Sequence, residues 1–136
     1  MLQIPKRFME VRYARERYPG VAGVVGIDEG ANCQQFAYEL LRHFGKQIPD
    51  FRSSELWADE IHTEKVSEYE ALDLLFFTKE GESWGAHIGV YLGENEVIHL
   101  SKDIGRPQIM GLDEFPKIDR YKILLGAKRA RYETGG

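Results

Sequence analysis

The stretch Gly30 to Gly45, Gly-Ala-Asn-Cys-Gln-Gln-Phe-Ala-Tyr-Glu-Leu-Leu-Arg-His-Phe-Gly, decides how the rest of the chain is read. Phe36, Ala37, Leu40, Leu41 and Phe44 recur at helical spacing, which gives one apolar stripe along roughly three turns. Asn32 suits the N-cap and Gly45 the stop. Cys33, the one cysteine of the chain, then falls at the first helical position. There, unpaired backbone N–H groups and the positive end of the helix dipole favour a thiolate. The plainer reading is a small buried hydrophobe, and a nucleophile needs a base from elsewhere in the chain.

The remaining composition narrows the setting. At 136 residues, with 43% hydrophobic and 12% aromatic content, the chain predicts one globular unit over residues 1–136, with a core from about 30 to 130. A lone cysteine permits no internal disulfide and no paired-cysteine metal motif, which fits a reducing, cytoplasmic setting. The net charge of −4 argues against a nucleic-acid surface, although both ends are locally basic (Lys6, Arg7, Arg12, Arg15, Arg17; Lys128, Arg129, Arg131) and read as solvated faces. No apolar run reaches the length of a signal peptide or a membrane span, so export and membrane insertion are not expected if the numbering begins at the natural start. No cofactor motif is present, and nothing in the sequence sets an oligomeric state.

Along the chain, Ile4, Phe8, Val11, Ala14 and Tyr18 predict an amphipathic helix over about 4–18, with Pro5 in its first turn. Gly20, Gly23, Gly26 and Gly30 make the approach to Cys33 glycine-rich, either a close-approach loop or an ordinary connection. Ser53 or Ser54 caps a short peripheral helix carrying Leu56, Trp57 and Ile61. Leu72 to Thr78 reads as a buried strand. Ala86 to Leu92 alternates, with Ala86, Ile88, Val90 and Leu92 on one face and His87, Gly89 and Tyr91 on the other. Gly93 to Glu96 turns the chain into a returning strand, Val97 to Ser101. Pro107 to Met110 and Tyr121 to Ala127 add strands, and Glu133 to Gly136 reads as a tail. Helices first and strands after predict an α+β fold with an antiparallel sheet.

The hairpin offers the base. His87 and His99 stand where a strand prefers apolar or β-branched residues, and histidine takes a proton from a thiol near neutral pH. Register decides whether they meet. A two- or four-residue loop pairs Leu92 with Val97 and turns the rings to opposite faces. A five-residue loop or a bulge pairs Tyr91 with Val97 and sets His99 opposite Gly89, with His87 its diagonal neighbour. Each histidine has a plainer role as a hydrogen-bonded core residue, and His43 and His62 read as surface residues. Cys33, His87 and His99 are also a conceivable zinc set, although no fourth ligand is evident.

Four blocks in order resemble the NlpC family of papain-like cysteine peptidases. Asn32 to Pro49 is similar to its nucleophile helix, Asp73-Leu74-Leu75-Phe76-Phe77 to its Gly-Asp-Leu strand, Ala86 to Gly93 to its His-Val-Gly-Ile-Tyr-Leu-Gly, and Val97 to Ser101 to its Ile-His-Ala-Ser. The resemblance implies a papain-like α+β fold, with the cysteine helix packed on a central antiparallel sheet. It also implies a thiol hydrolase of amide or peptide bonds, with Cys33 as nucleophile, His87 as base, His99 orienting it, Tyr18 near the substrate and no metal. Cell-wall-type peptides are the substrates it suggests. Asn32 replaces the family's aspartate, Gln34 and Gln35 its Ser-Gly, and Leu72 the glycine before Asp73. The departures around Cys33 support the alternative of an inactive binding domain.

Overall fold

The computed structural model describes residues 1–133. Three short helices, α1 (Lys6–Met9), α2 (Cys33–His43) and α3 (Ser53–Ala58), accompany eight strands: β1 (Lys46–Gln47), β2 (Thr63–Val66), β3 (Leu74–Thr78), β4 (His87–Gly93), β5 (Glu96–Leu100), β6 (Pro107–Gly111), β7 (Ile123–Ala130) and β8 (Tyr132–Glu133). Six strands form one antiparallel sheet in the order β2-β7-β3-β4-β5-β6, and β1 pairs separately with β8. The 3-10 helices Leu112–Lys117 and Asp119–Tyr121 link β6 to β7.

Helix α2 forms as its pattern requires. The Asn32 side chain accepts from the N–H of Gln35 at 2.8 Å, satisfying one unpaired donor of the first turn, and Gly45 ends the helix at φ +86°. Phe36, Ala37, Leu40 and Leu41 are buried together with Ile88, Val90, Leu92, Ile98 and Leu100 of the hairpin. Each large apolar side chain contributes about 1.5–3 kcal/mol by leaving water. The opposite sheet face packs Leu75, Phe77, Val97 and Ala127 under Phe115 and Tyr121 of the 3-10 segment. The sheet is thus covered on both sides.

The β4–β5 register follows the bulged alternative. Glu94 and Asn95 make a two-residue turn with positive φ, Gly93 pairs with Glu96, and Leu92 is the extra residue before Tyr91 pairs with Val97. Continuing that ladder sets His99 opposite Gly89. A Cβ on Gly89 would meet Val97 Cγ1 at 2.7 Å and Phe77 Cε2 at 3.3 Å, so the strand is bare there to admit its apolar neighbours.

The N-terminal segment departs from its reading. The helix expected over 4–18 is one turn, Lys6–Met9. Phe8, Val11 and Ala14 are buried as anticipated, but the backbone beyond Met9 bonds to distant chain: Tyr13 N–H to Gly105 O (3.0 Å), Ala14 N–H to Ala31 O (2.9 Å) and Ala31 N–H to Arg12 O (3.0 Å). Tertiary partners outbid a weak local preference, and Tyr18 before Pro19 disfavours helical backbone. Gly30 lies so close to this segment that a Cβ would sit 2.9 Å from Arg12 O, so its close approach is to the chain's own N-terminal backbone, while Gly23 and Gly26 have nothing within 4 Å.

Smaller differences have similar causes. The residue before α3 is Arg52, its N–H held by Glu55 Oε1 at 2.9 Å, while Ser53 Oγ accepts from the N–H of Gly85. Ile61 lies beyond that helix and is exposed. Glu133 pairs with Lys46 and is not tail; residues 134–136 lie outside the described residues. Several basic residues of the chain ends are tied into the fold instead of lying on solvated faces. Buried Lys128 Nζ donates to Trp57 O and Asp59 O, Arg129 pairs with Asp73, and Arg17 Nε donates to Gly30 O at 2.8 Å.

Candidate active site

Cys33 and His87 line one cleft of about 670 Å³, with Tyr13, Tyr121, Lys79, Lys102 and Arg120 among its walls. Cys33 enters from the head of α2 and His87 from the first residue of β4. Cys33 is half-buried. Burial pushes its thiol pKa up, and the backbone N–H groups of Ile88, Gln34 and Cys33 itself oppose that rise.

His87 Nε2 lies 2.8 Å from His99 Nδ1, and His99 Nε2 lies 3.0 Å from Met110 Sδ. The His87 ring stacks on Tyr121 with centroids 4.2 Å apart and planes 16° apart, and the Tyr121 hydroxyl shares a 3.1 Å hydrogen bond with Ser101. Phe115 meets the His99 ring edge-on at 4.8 Å. Burial, then the neighbouring His99 and Arg120, hold the His87 pKa well below its usual value, and burial brings that of His99 down to about 4. Both imidazoles are therefore neutral at pH 7, the form in which a ring nitrogen accepts a proton. With Nε2 of His87 engaged, its other nitrogen, Nδ1, is left for that task.

Tyr18 is not among the residues lining this cleft. Its ring lies under the Arg52 guanidinium, 4.0 Å from the ring centre, and the tyrosines at the wall are Tyr13 and Tyr121. His43 is exposed on α2 and His62 bonds Asp59. Gln34 and Gln35 are buried, at 4% and 3% exposure, and neither lines the cleft; Gln35 Nε2 donates to Gly26 O at 3.1 Å. Among the described residues no group of three or more His, Cys, Asp or Glu side chains is arranged to hold a metal ion. Sequence reasoning missed Tyr13, Tyr121 and Met110. The apolar spacing puts Tyr13 in a helix and Tyr121 in a strand, and no local pattern marks those two as lining a cleft with Cys33 or Met110 as reaching His99.

The NlpC/P60 family model matches residues 18–114. The chain belongs to the NlpC/P60 family. Solved structures agree on the fold. An NlpC/P60 family protein from Bacillus cereus is 22% identical with a TM-score of 0.55, over 74% of this chain and 32% of that one. The NlpC/p60 domain of the peptidoglycan hydrolase SagA is 20% identical, TM-score 0.55, over 81% and 85% of the two chains. A lipoprotein-like NLP/P60 protein from Staphylococcus aureus is 21% identical, TM-score 0.60, over 94% and 40%. The NlpC/P60 chain thus spans about a third of the Bacillus cereus protein's length. Comparison with proteins of curated function gave no match. The fold is the papain-like α+β arrangement of this family, a cysteine-bearing helix on an antiparallel sheet. No helix among the described residues is long and apolar enough to cross a membrane.

Proposed function

We propose that this NlpC/P60 domain is a cysteine-dependent hydrolase of amide or peptide bonds, acting on peptides of the cell-wall type. The observation that carries the reading is the meeting of Cys33 and His87 in one cleft, with His87 Nε2 held by His99. Cys33 Sγ attacks the scissile carbonyl carbon as its proton passes to His87 Nδ1, and His87 returns that proton to the departing amine nitrogen. Water then attacks the thioester, giving up a proton to His87, and the acid and free thiol are released. The N–H of Cys33, at the first helical position, is suited to donate to the oxyanion. Because the thiol is pushed up and the imidazole down, the resting pair is neutral, and proton transfer accompanies attack.

The inactive-domain alternative drew on Gln34 and Gln35, and their burial away from the cleft weakens it. The test is alkylation of Cys33 by iodoacetamide together with turnover on a panel of cell-wall peptides and simple amides, with Cys33→Ser as control. Labelling at Cys33 that slows at least about tenfold in His87→Ala, and cleavage lost in Cys33→Ser, are expected. Equal labelling in both proteins and no cleavage of any substrate would overturn the reading.

A further inference from the structure

The polar chain that starts at His87 does not end at His99. His99 is 2% exposed and Phe115 closes over it edge-on, so water does not stand in for a protein partner at its outer nitrogen. That partner is Met110, which reaches across from β6, where Val97 faces Met110 and His99 faces Gln108, to place Sδ 3.0 Å from Nε2. A thioether has lone pairs and no proton, so it only accepts. At this distance a bare Nε2 would set lone pair against lone pair, and the His99 proton therefore belongs on Nε2. His99 Nδ1 is then an acceptor, His87 must donate from Nε2, and His87 Nδ1 keeps its lone pair for the cleft.

We infer that Met110 is a positioning residue for the hydrolase proposed above: by accepting from His99 it selects, through two imidazoles in series, the tautomer of His87 that can take the Cys33 proton. A sulfur three groups away from the reacting thiol thus sets where the base carries its lone pair.

The test reads tautomers directly, by long-range proton–nitrogen NMR of the imidazoles in the full chain without substrate, so it does not depend on turnover. Both rings of the wild type are expected to carry the proton on Nε2. Met110→Leu keeps the volume and removes the acceptor; the His99 signals should move toward a tautomer mixture, with kcat down by about two- to fivefold at unchanged KM. Met110→Lys replaces an acceptor with a donor; the protons of both rings should move to Nδ1 and kcat fall at least about 100-fold. A wild-type His99 protonated at Nδ1 overturns the inference, as does a folded Met110→Lys with wild-type tautomers. Should that variant not fold, Met110→Leu decides, and tautomers indistinguishable from wild type overturn it. Expected tautomers in a wild type that hydrolyses nothing would sink the hydrolase reading and leave the role of Met110 standing.

Discussion

Two buried polar groups lie on neighbouring strands of the same sheet and are built in opposite ways. Asp73, just ahead of β3 and 1% exposed, is saturated: Arg129 Nε donates to Oδ1 at 2.8 Å, Arg129 NH2 to Oδ2 at 2.9 Å, and the N–H of Glu70 to Oδ2 at 2.8 Å. The His87–His99 chain opens into a cleft at one end and finishes on a thioether at the other. A carboxylate with every partner in place is fixed by its hydrogen bonds and does structural work. A pair of neutral rings with one nitrogen left open can move a proton. The difference separates anchorage from chemistry within one sheet.

The largest expected effect tests the open end. His87→Ala should lower kcat by about 100- to 10,000-fold, the usual span for a positioned general base, while the thermal midpoint moves little. Steady-state turnover beside thermal unfolding reads both. A variant that loses stability and keeps its rate would reverse the comparison.

Next comes the closed end. Asp73→Ala leaves the Arg129 guanidinium with Glu68 O and the largely exposed Glu70 carboxylate, 3.5 Å from NH1. Breaking such a pair costs about 3–4 kcal/mol, a fall of roughly 10 °C in Tm. Activity per folded molecule should stay within about twofold. Urea unfolding and activity assays below the transition check it.

The third effect is on pH. His99 has a pKa of about 4 in the folded chain against the usual value near 6.5 when unfolded. Between those values the unfolded chain binds the extra proton. The contribution of His99 is therefore full above pH 6.5, declines as pH falls and has gone below about 4. About 3 kcal/mol of acid lability follows from this group, and His99→Asn should remove it from the slope of stability against pH. Parallel slopes in the two proteins would show that burial does not keep the ring neutral.

The sequence made some of this readable and hid the rest for physical reasons. Helix α2 was legible because its stripe and cap are local, within 14 residues from Asn32 to Gly45. The hairpin was legible once the requirement that two histidines share a face selected the bulged register. The segment 10–18 was not, because its backbone partners, Ala31 and Gly105, lie far along the chain while its apolar spacing still fits a helix. Met110, Tyr121 and Tyr13 join the site only through sheet order and the path of the 3-10 segment. The saturation of Asp73 was equally invisible, since Arg129 stands 56 positions on and looked like surface charge.

The smallest expected effect lies at the turn that ties Asp73 to the strand of His87. Leu72 stands at the position where the resemblance places a glycine, and its φ of +78° is the left-handed backbone that glycine adopts freely. Leucine there carries about 1–2 kcal/mol of strain. Its side chain is partly buried against the main core, worth about 1 kcal/mol, and glycine would add about 0.5–1 kcal/mol of unfolded-chain entropy. Relief and loss nearly cancel, so Leu72→Gly should change stability by under about 1 kcal/mol, whereas Leu74→Ala, two residues on and fully buried, should cost about 2–5 kcal/mol. Urea unfolding of the two variants compares them directly, and equal losses would mean that packing outweighs the backbone at Leu72. The turn matters beyond its own energy: Leu72 N–H donates to Tyr91 O at 2.8 Å and Tyr91 N–H to Asp73 O at 2.9 Å. These two bonds clamp the Asp73 anchor to β4, the strand that carries His87, so a relaxed turn at residue 72 should leave the saturated end intact and test whether the rate at the open end depends on it.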